Sequence, residues 1–275
     1  TASDFGELIE DFCKFSDQPF GVSSGLGVLK VADFASEMGI KVLLTGDGAD
    51  EMFGGYSWYP LLPQIADASL GISRSQDVSF QSREKKNDEL VQNLQQLDQP
   101  TRAWAMHYYA SEADKRTIYH PDFTEGLSDS RRHFGKEGRW EPVDYLGHDR
   151  DYYFPFEMLR KADRFTMARS VEGRVPFAAP LVRSLVETFS WAELVSEKRL
   201  KACLRDAFRD ILPMGVIERP KHGFNVPVDH WLSTGWRGWL EDTFSSNSEL
   251  FKHGIISTNA LESVELLLGN AGRLS

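Results

Sequence analysis

The run KVLLTGDGADEMFGGY, from Lys41 to Tyr56, places three acids, Asp47, Asp50 and Glu51, in a glycine-rich loop directly behind a short apolar stretch. Acids this close repel one another and add nothing to an apolar core. Glycines let the backbone turn sharply and approach a ligand. Amides at the start of a following helix attract an anion. Acids there would oppose a bare phosphate, but they suit a divalent cation that bridges acid and phosphate, or an acid that moves a proton. The structural alternative is that Asp47 and Asp50 cap the turn and the helix after it. Both readings stand at this point.

Rival motifs fit poorly. A Walker loop requires Lys-Ser or Lys-Thr after its glycines, and neither follows here. An EF-hand alternates its acids, whereas Asp47 and Asp50 are three apart. The seven histidines show no zinc-ligand spacing. Gly21-Val22-Ser23-Ser24-Gly25 matches a nucleophile elbow by letter, but turn-like DQPF precedes it instead of a strand, so Ser23 reads as a helix cap.

The elements around the loop follow from periodicity. Asp4 and Glu7 have capping-box spacing, and Phe5, Leu8, Ile9, Phe12 and Cys13 recur at helical intervals, so a helix is predicted from about 4 to 15. A second helix, capped by Ser23 or Ser24, is predicted to bury Val28, Val31, Ala32, Ala35 and Met38 and to end at Gly39. Val42-Leu43-Leu44-Thr45 has the character of a parallel strand buried on both faces. Helix, strand, glycine loop and helix together are a piece of a doubly wound α/β sheet, whose ligands bind beyond the carboxyl ends of the strands.

Downstream, 74–99 is polar, helices are expected at about 101–110 and 112–119, and 126–139 is loop-like. From 154 the pattern is helical. It includes an amphipathic helix through Leu200, Cys203, Leu204, Ala207, Phe208 and Ile211 that ends by Pro213, and a last helix through Leu261, Val264, Leu267 and Leu268.

The 275 residues carry 31 basic and 41 acidic side chains, a formal charge of −10. That balance argues against a general nucleic-acid surface but leaves room for a local anion site. No apolar run approaches the roughly 20 residues of a membrane span. The two separated cysteines, Cys13 and Cys203, suit a reducing, cytoplasmic setting.

Three blocks in order resemble the C-terminal, synthetase domain of the asparagine synthetase family, of ATP-pyrophosphatase type. TGDGADEMFGGY is similar to its S/T-G-E/D-G-x-D-E-x-F-G-G-Y signature. FEMLRKADRFTMARSVEGRVPF (156–177) is similar to its second block, and RPKHGFNVPVDHWL (219–232) resembles its third. The resemblance implies adenylation of a carboxylate, most often that of aspartate, by ATP with Mg2+ and release of pyrophosphate. Attack by ammonia and loss of AMP follow. The ammonia usually comes from glutamine through an N-terminal glutaminase domain.

On that resemblance Asp50 is the metal ligand, and Thr45, Gly46 and Gly48 contact the nucleotide. Asp47, where the family more often has Glu, assists ammonia attack. Lys221 neutralises phosphate and developing oxyanion charge. Arg164 either binds phosphate, orients Lys221 or joins an ion-pair network with Arg160 and Asp163. Glu172 and Arg174 form a structural salt bridge, and His222 lies outside the chemistry.

The expected fold is helix-rich α/β, a partial adenine-nucleotide α-hydrolase-like parallel sheet followed by a mostly helical region. Residues 1–60 would complete the nucleotide-binding sheet, 61–150 would form a helical and loop insertion, and 151–275 would complete the site. The family's S-G-G-x-D-S pyrophosphatase loop, which belongs before Thr45, is not in the chain. The chain alone is therefore expected not to make the acyl-adenylate: it is read as a piece of a longer synthetase, a partner-dependent half, or a non-catalytic nucleotide-binding or scaffold remnant of the same fold. The absent strands would leave a sheet edge that another segment or a homodimer contact could cover.

Overall fold

A computed structural model describes residues 6–67, 91, 94, 95, 97, 102, 103, 105, 112–127, 139–195, 199–220, 223, 224 and 226–271. The chain divides into two compact units, one formed by Leu8–Asp67 with Gly138–Val226, the other by Thr1–Glu7, Ala68–Glu137 and Pro227–Ser275.

The first of these units contains the acidic loop. Its helix α1 spans Ile9–Ser16. Gly6 before it is also helical, a turn at Glu7 and Leu8 separates the two, and the Phe12 amide donates to Leu8 O (2.8 Å); the expected start at Asp4 lies outside the described residues. Helix α2 spans Ser24–Glu37, and Gly39 follows at φ +72°. The face it buries is Leu26, Leu29, Ala32 and Ala35, together with Gly25 and Gly27.

Val31 and Met38, expected inside, are exposed. The two glycines explain the rotation. A Cβ on Gly25 would lie 2.3 Å from the Phe165 ring, and one on Gly27 would lie 2.6 Å from the Phe224 ring. The helix therefore turns its smallest residues towards its neighbours, and the bulkier apolar ones are left outside.

Strand β1, Val42–Leu44, leads into the loop. It pairs in parallel with β2, Glu172–Arg174, in the register Val42↔Glu172, Leu43↔Gly173 and Leu44↔Arg174. The expectation of a strand buried on both faces is corrected here, since Leu44 is 75% exposed. The second strand was not legible, because Glu-Gly-Arg has neither β-branched nor aromatic residues. The ladder specifies it: the Glu172 amide donates to Lys41 O (2.8 Å), and the Thr45 amide donates to Arg174 O (2.9 Å).

Behind the loop lie α3 (Ala49–Phe53), α4 (Pro142–His148), a π-helical stretch (Asp149–Leu159) and α5 (Arg160–Met167). Pro155 falls inside the π-helical stretch, where the ordinary i→i−4 ladder is already interrupted. Helix α5 packs on α2 and leads into β2. Helix α6 (Pro180–Val186) and α7 (Ala202–Ala207) pack against α3. Helix α7 is shorter than its apolar pattern suggested: Phe208 and Ile211 lie beyond its end and are exposed.

In the other unit, the helices Glu112–Ile118 and Ala260–Ala271 pack together, and Tyr119 bridges Ile256 in antiparallel fashion. No helix among the described residues is long and apolar enough to cross a membrane. Cys13 and Cys203 are free thiols.

Candidate functional site

The acidic loop leaves the carboxyl end of a parallel strand, the place where α/β sheets bind ligands. Thr45 continues the ladder through its amide, while its hydroxyl oxygen is buried and has no hydrogen-bond partner among the described residues. Space is open at Gly46, where a Cβ would meet nothing within 4 Å. Gly48 turns the chain into α3 at φ +86°, with room for a Cβ denied by the Phe154 ring at 2.7 Å.

Gly48 is the N-cap of α3 and has no side chain with which to cap it. Each of the three acids has a partner. Asp47 Oδ1 lies 3.1 Å from Lys161 Nζ, with the lysine side chain 7% exposed and the aspartate 19%. Asp50 Oδ1 lies 3.0 Å from Lys201 Nζ. Glu51 is buried and accepts a 2.6 Å hydrogen bond from the Tyr56 hydroxyl. Burial outweighs that bond and raises the Glu51 pKa above the ordinary carboxylate value.

The repulsion between neighbouring acids is thus relieved by two separate lysines and by burial of the third acid. Removing one partner of a pair as buried as Lys161 with Asp47 leaves an uncompensated charge, at a cost of about 3–5 kcal/mol.

The support around these pairs is specific. Arg150, itself buried, donates from Nε to Glu51 O (3.1 Å) and from Nη2 to Met52 O (3.0 Å), so it satisfies carbonyls in α3. Tyr59 donates to Asp149 Oδ2 at 2.6 Å in the same buried cluster. Gly55 is a cradle for the second pair: a Cβ there would lie 2.0 Å from Asp50 Oδ1 and 2.2 Å from Lys201 Cε.

Thr45, Gly46, Asp47, Gly48 and Asp50 therefore share one loop. Arg164 points elsewhere: it is 47% exposed and pairs with Asp17 (3.1 Å), which Arg160 also approaches (3.7 Å). Glu172 and Arg174 form the expected surface salt bridge, 2.8 Å long. Lys221 and His222 lie outside the described residues. The described residues flanking Lys221 are tied to this unit. Arg205 of α7 donates to Ile217 O and Arg219 O, and Phe224 covers Gly27 of α2.

Lys161 and Lys201 were not singled out from the sequence. Lys161 had a usable signal. Met158, Lys161, Ala162 and Phe165 fall at i, i+3, i+4 and i+7, so the lysine interrupts an otherwise apolar stripe. Lys201 had none. Its backbone sits at φ +56°, which no local sequence pattern announces.

A glycine-turned, charge-compensated acidic loop at the end of a parallel strand is the candidate site. The comparisons give the family. The family profile described as asparagine synthase matches residues 1–266, and the chain belongs to that family. A Mycobacterium bovis protein, provisionally named a glutamine-hydrolysing asparagine synthetase, is 30% identical over 86% of this chain and 37% of its own length. Asparagine synthetase 1 of Bacillus subtilis is 25% identical over 86% of the chain and 39% of its own length. An amidase of Penicillium rubens is 24% identical over 81% of the chain and 37% of its own length. The chain thus spans a little over a third of the length of these curated relatives.

Proposed function

We propose that this chain supplies the acidic loop and helical wall of an ATP-dependent amide-forming synthetase that adenylates a carboxylate, with aspartate as the first candidate. The observation that carries the reading is that Asp47 and Asp50, set behind a parallel strand, are each paired with a lysine from a distant part of the chain.

The loop fits a nucleotide. Among the described residues the Thr45 hydroxyl has no partner and the space at Gly46 is open, which suits contact with the adenylate portion, with Gly48 allowing the close turn. The loop also fits Mg2+, which is commonly held by one or two protein carboxylates with phosphate oxygens completing the shell. Asp50 would be that carboxylate, and the ion would screen phosphate charge there. Lys201, now on Asp50, carries a charge suited to the same anion.

In the amide-forming step the nitrogen of ammonia bonds to the acyl carbon, and the bond from that carbon to the adenylate oxygen breaks with its electron pair leaving on AMP. Asp47 accepts the proton that the nitrogen sheds. Lys221 is proposed to neutralise the oxyanion and phosphate, worth roughly 10²–10³ in rate for a fixed donor. Arg164, which pairs with Asp17, is proposed to bind phosphate or to orient Lys221. The sheet is proposed to be nucleotide α-hydrolase-like, completed on the exposed β1 side by strands and an ATP loop of the longer protein, and a glutaminase domain is proposed to deliver ammonia. Residues 1–60, 61–150 and 151–275 keep the proposed division of labour.

The experiment is pyrophosphate release by the full-length parent protein with ATP, Mg2+ and a panel of carboxylates. Release that depends on one carboxylate supports the reading. No release with any member of the panel overturns it.

A further inference from the structure

Resting on that reading of Asp47, we infer that Lys161 is a positioning residue that fixes the Asp47 carboxylate for proton transfer. The pair is mutual. Lys161 Nζ meets Asp47 Oδ1 at 3.1 Å, and its other contact is the Met158 sulfur at 3.5 Å, too weak an acceptor to direct an ammonium. Lys161 is the one hydrogen-bonding or ion-pair partner of the Asp47 side chain among the described residues. Asp47 stands between Gly46 and Gly48, so neither neighbouring side chain can hold it. Its orientation is set from across the fold.

The element that carries Lys161 is suited to this. Helix α5 is locked by stacking of Phe165 on Phe12 (centroids 4.8 Å apart) and by the Thr166 hydroxyl donating to Ala162 O (2.8 Å). It leads into β2, whose partner β1 delivers the loop. The lysine therefore links the loop to the same frame that fixes the strand. It engages Oδ1 and leaves Oδ2 without a protein partner among the described residues. Oδ2 is then the oxygen that takes the N–H proton as the C–N bond forms and the bond to the adenylate oxygen breaks.

The test compares Lys161→Met, Lys161→Arg, Asp47→Asn and the Lys161→Met/Asp47→Asn double variant in the full-length parent protein, with pyrophosphate and amide measured in the same reactions. Adenylation does not need Asp47, whereas ammonia attack does. Lys161→Met is expected to lower amide formation about 10²-fold, the size of effect expected from a misplaced catalytic group, and to leave the first-turnover burst of pyrophosphate, which precedes ammonia attack, within about threefold of wild type. Lys161→Arg is expected to restore most of the amide-to-pyrophosphate ratio. The double variant is expected to be no worse than Asp47→Asn alone, because the two act as a unit.

A lysine that only stabilises the fold would reduce both products in proportion, and its effect would multiply with that of Asp47→Asn. Either result overturns the inference and leaves the synthetase reading intact. A wild-type protein that releases no pyrophosphate with any carboxylate overturns the synthetase reading, and the positioning role falls with it.

Discussion

Replacing Gly55 by Ala puts a methyl group where Asp50 Oδ1 and Lys201 Cε already sit, at 2.0 and 2.2 Å from the new carbon, with the Asp50 Cα at 2.8 Å. Ordinary contact begins at 3.4 Å, so the carboxylate oxygen must retreat by 3.4 − 2.0 = 1.4 Å. Lys201 can swing its flexible end away, but the Asp50 backbone cannot, because the Gly55 amide is bonded to Asp50 O at 2.8 Å. Overpacking of this kind costs about 1–3 kcal/mol. For a chain of this size that corresponds to a fall in Tm of roughly 2–4 °C per kcal/mol.

The functional effect should be larger than the stability effect. Metal–ligand distances tolerate only about ±0.2 Å, so a displaced Asp50 cannot serve as the ligand proposed for it. The concentration of Mg2+ needed for half-maximal pyrophosphate release should rise by roughly 10–100-fold, the range seen when the support of a metal ligand is lost. Thermal unfolding and a magnesium titration of the full-length parent protein measure the two effects. A variant that keeps both the wild-type Tm and the wild-type magnesium requirement would refute the cradle argument.

The remaining predictions concern the same loop. Burial raises the Glu51 pKa in the folded state, so the stability that this group contributes is fully present below its unfolded value near 4.5 and is lost as pH rises through the higher folded value. Glu51→Gln keeps an acceptor for Tyr56 but does not ionise; its Tm should gain on wild type as pH rises from 4.5 towards neutrality, and a constant difference across that range would contradict the sign. Gly48→Ala combines a left-handed φ of +86° with a Cβ 2.7 Å from the Phe154 ring, so it should cost about 1–3 kcal/mol in chemical denaturation; a change below about 0.5 kcal/mol would show that the turn can relax.

The sequence alone was enough to locate the acidic loop. Apolar residues running into T-G-D-G-A-D-E predict a strand and turn from local chemistry, and the structure has both: β1 ends at Leu44, and Gly48 turns at positive φ. The three ordered blocks were likewise visible without coordinates, as was the helix from Ser24 to Glu37 with its glycine stop. What tertiary structure decided was every pairing across long separations. Glu172–Arg174 is a strand only because β1 lies beside it, and no propensity in Glu-Gly-Arg announces that. Helix α2 shows the same limit, since its buried face was settled by the Phe165 and Phe224 rings closing on two glycines and not by its own apolar period. The partners of the acids depend most on the fold. Asp47 and Lys161 are 114 residues apart and Asp50 and Lys201 are 151 apart, from 161 − 47 and 201 − 50. A salt bridge depends on a few ångströms in space, and separation along the chain says nothing about that distance until the chain has folded.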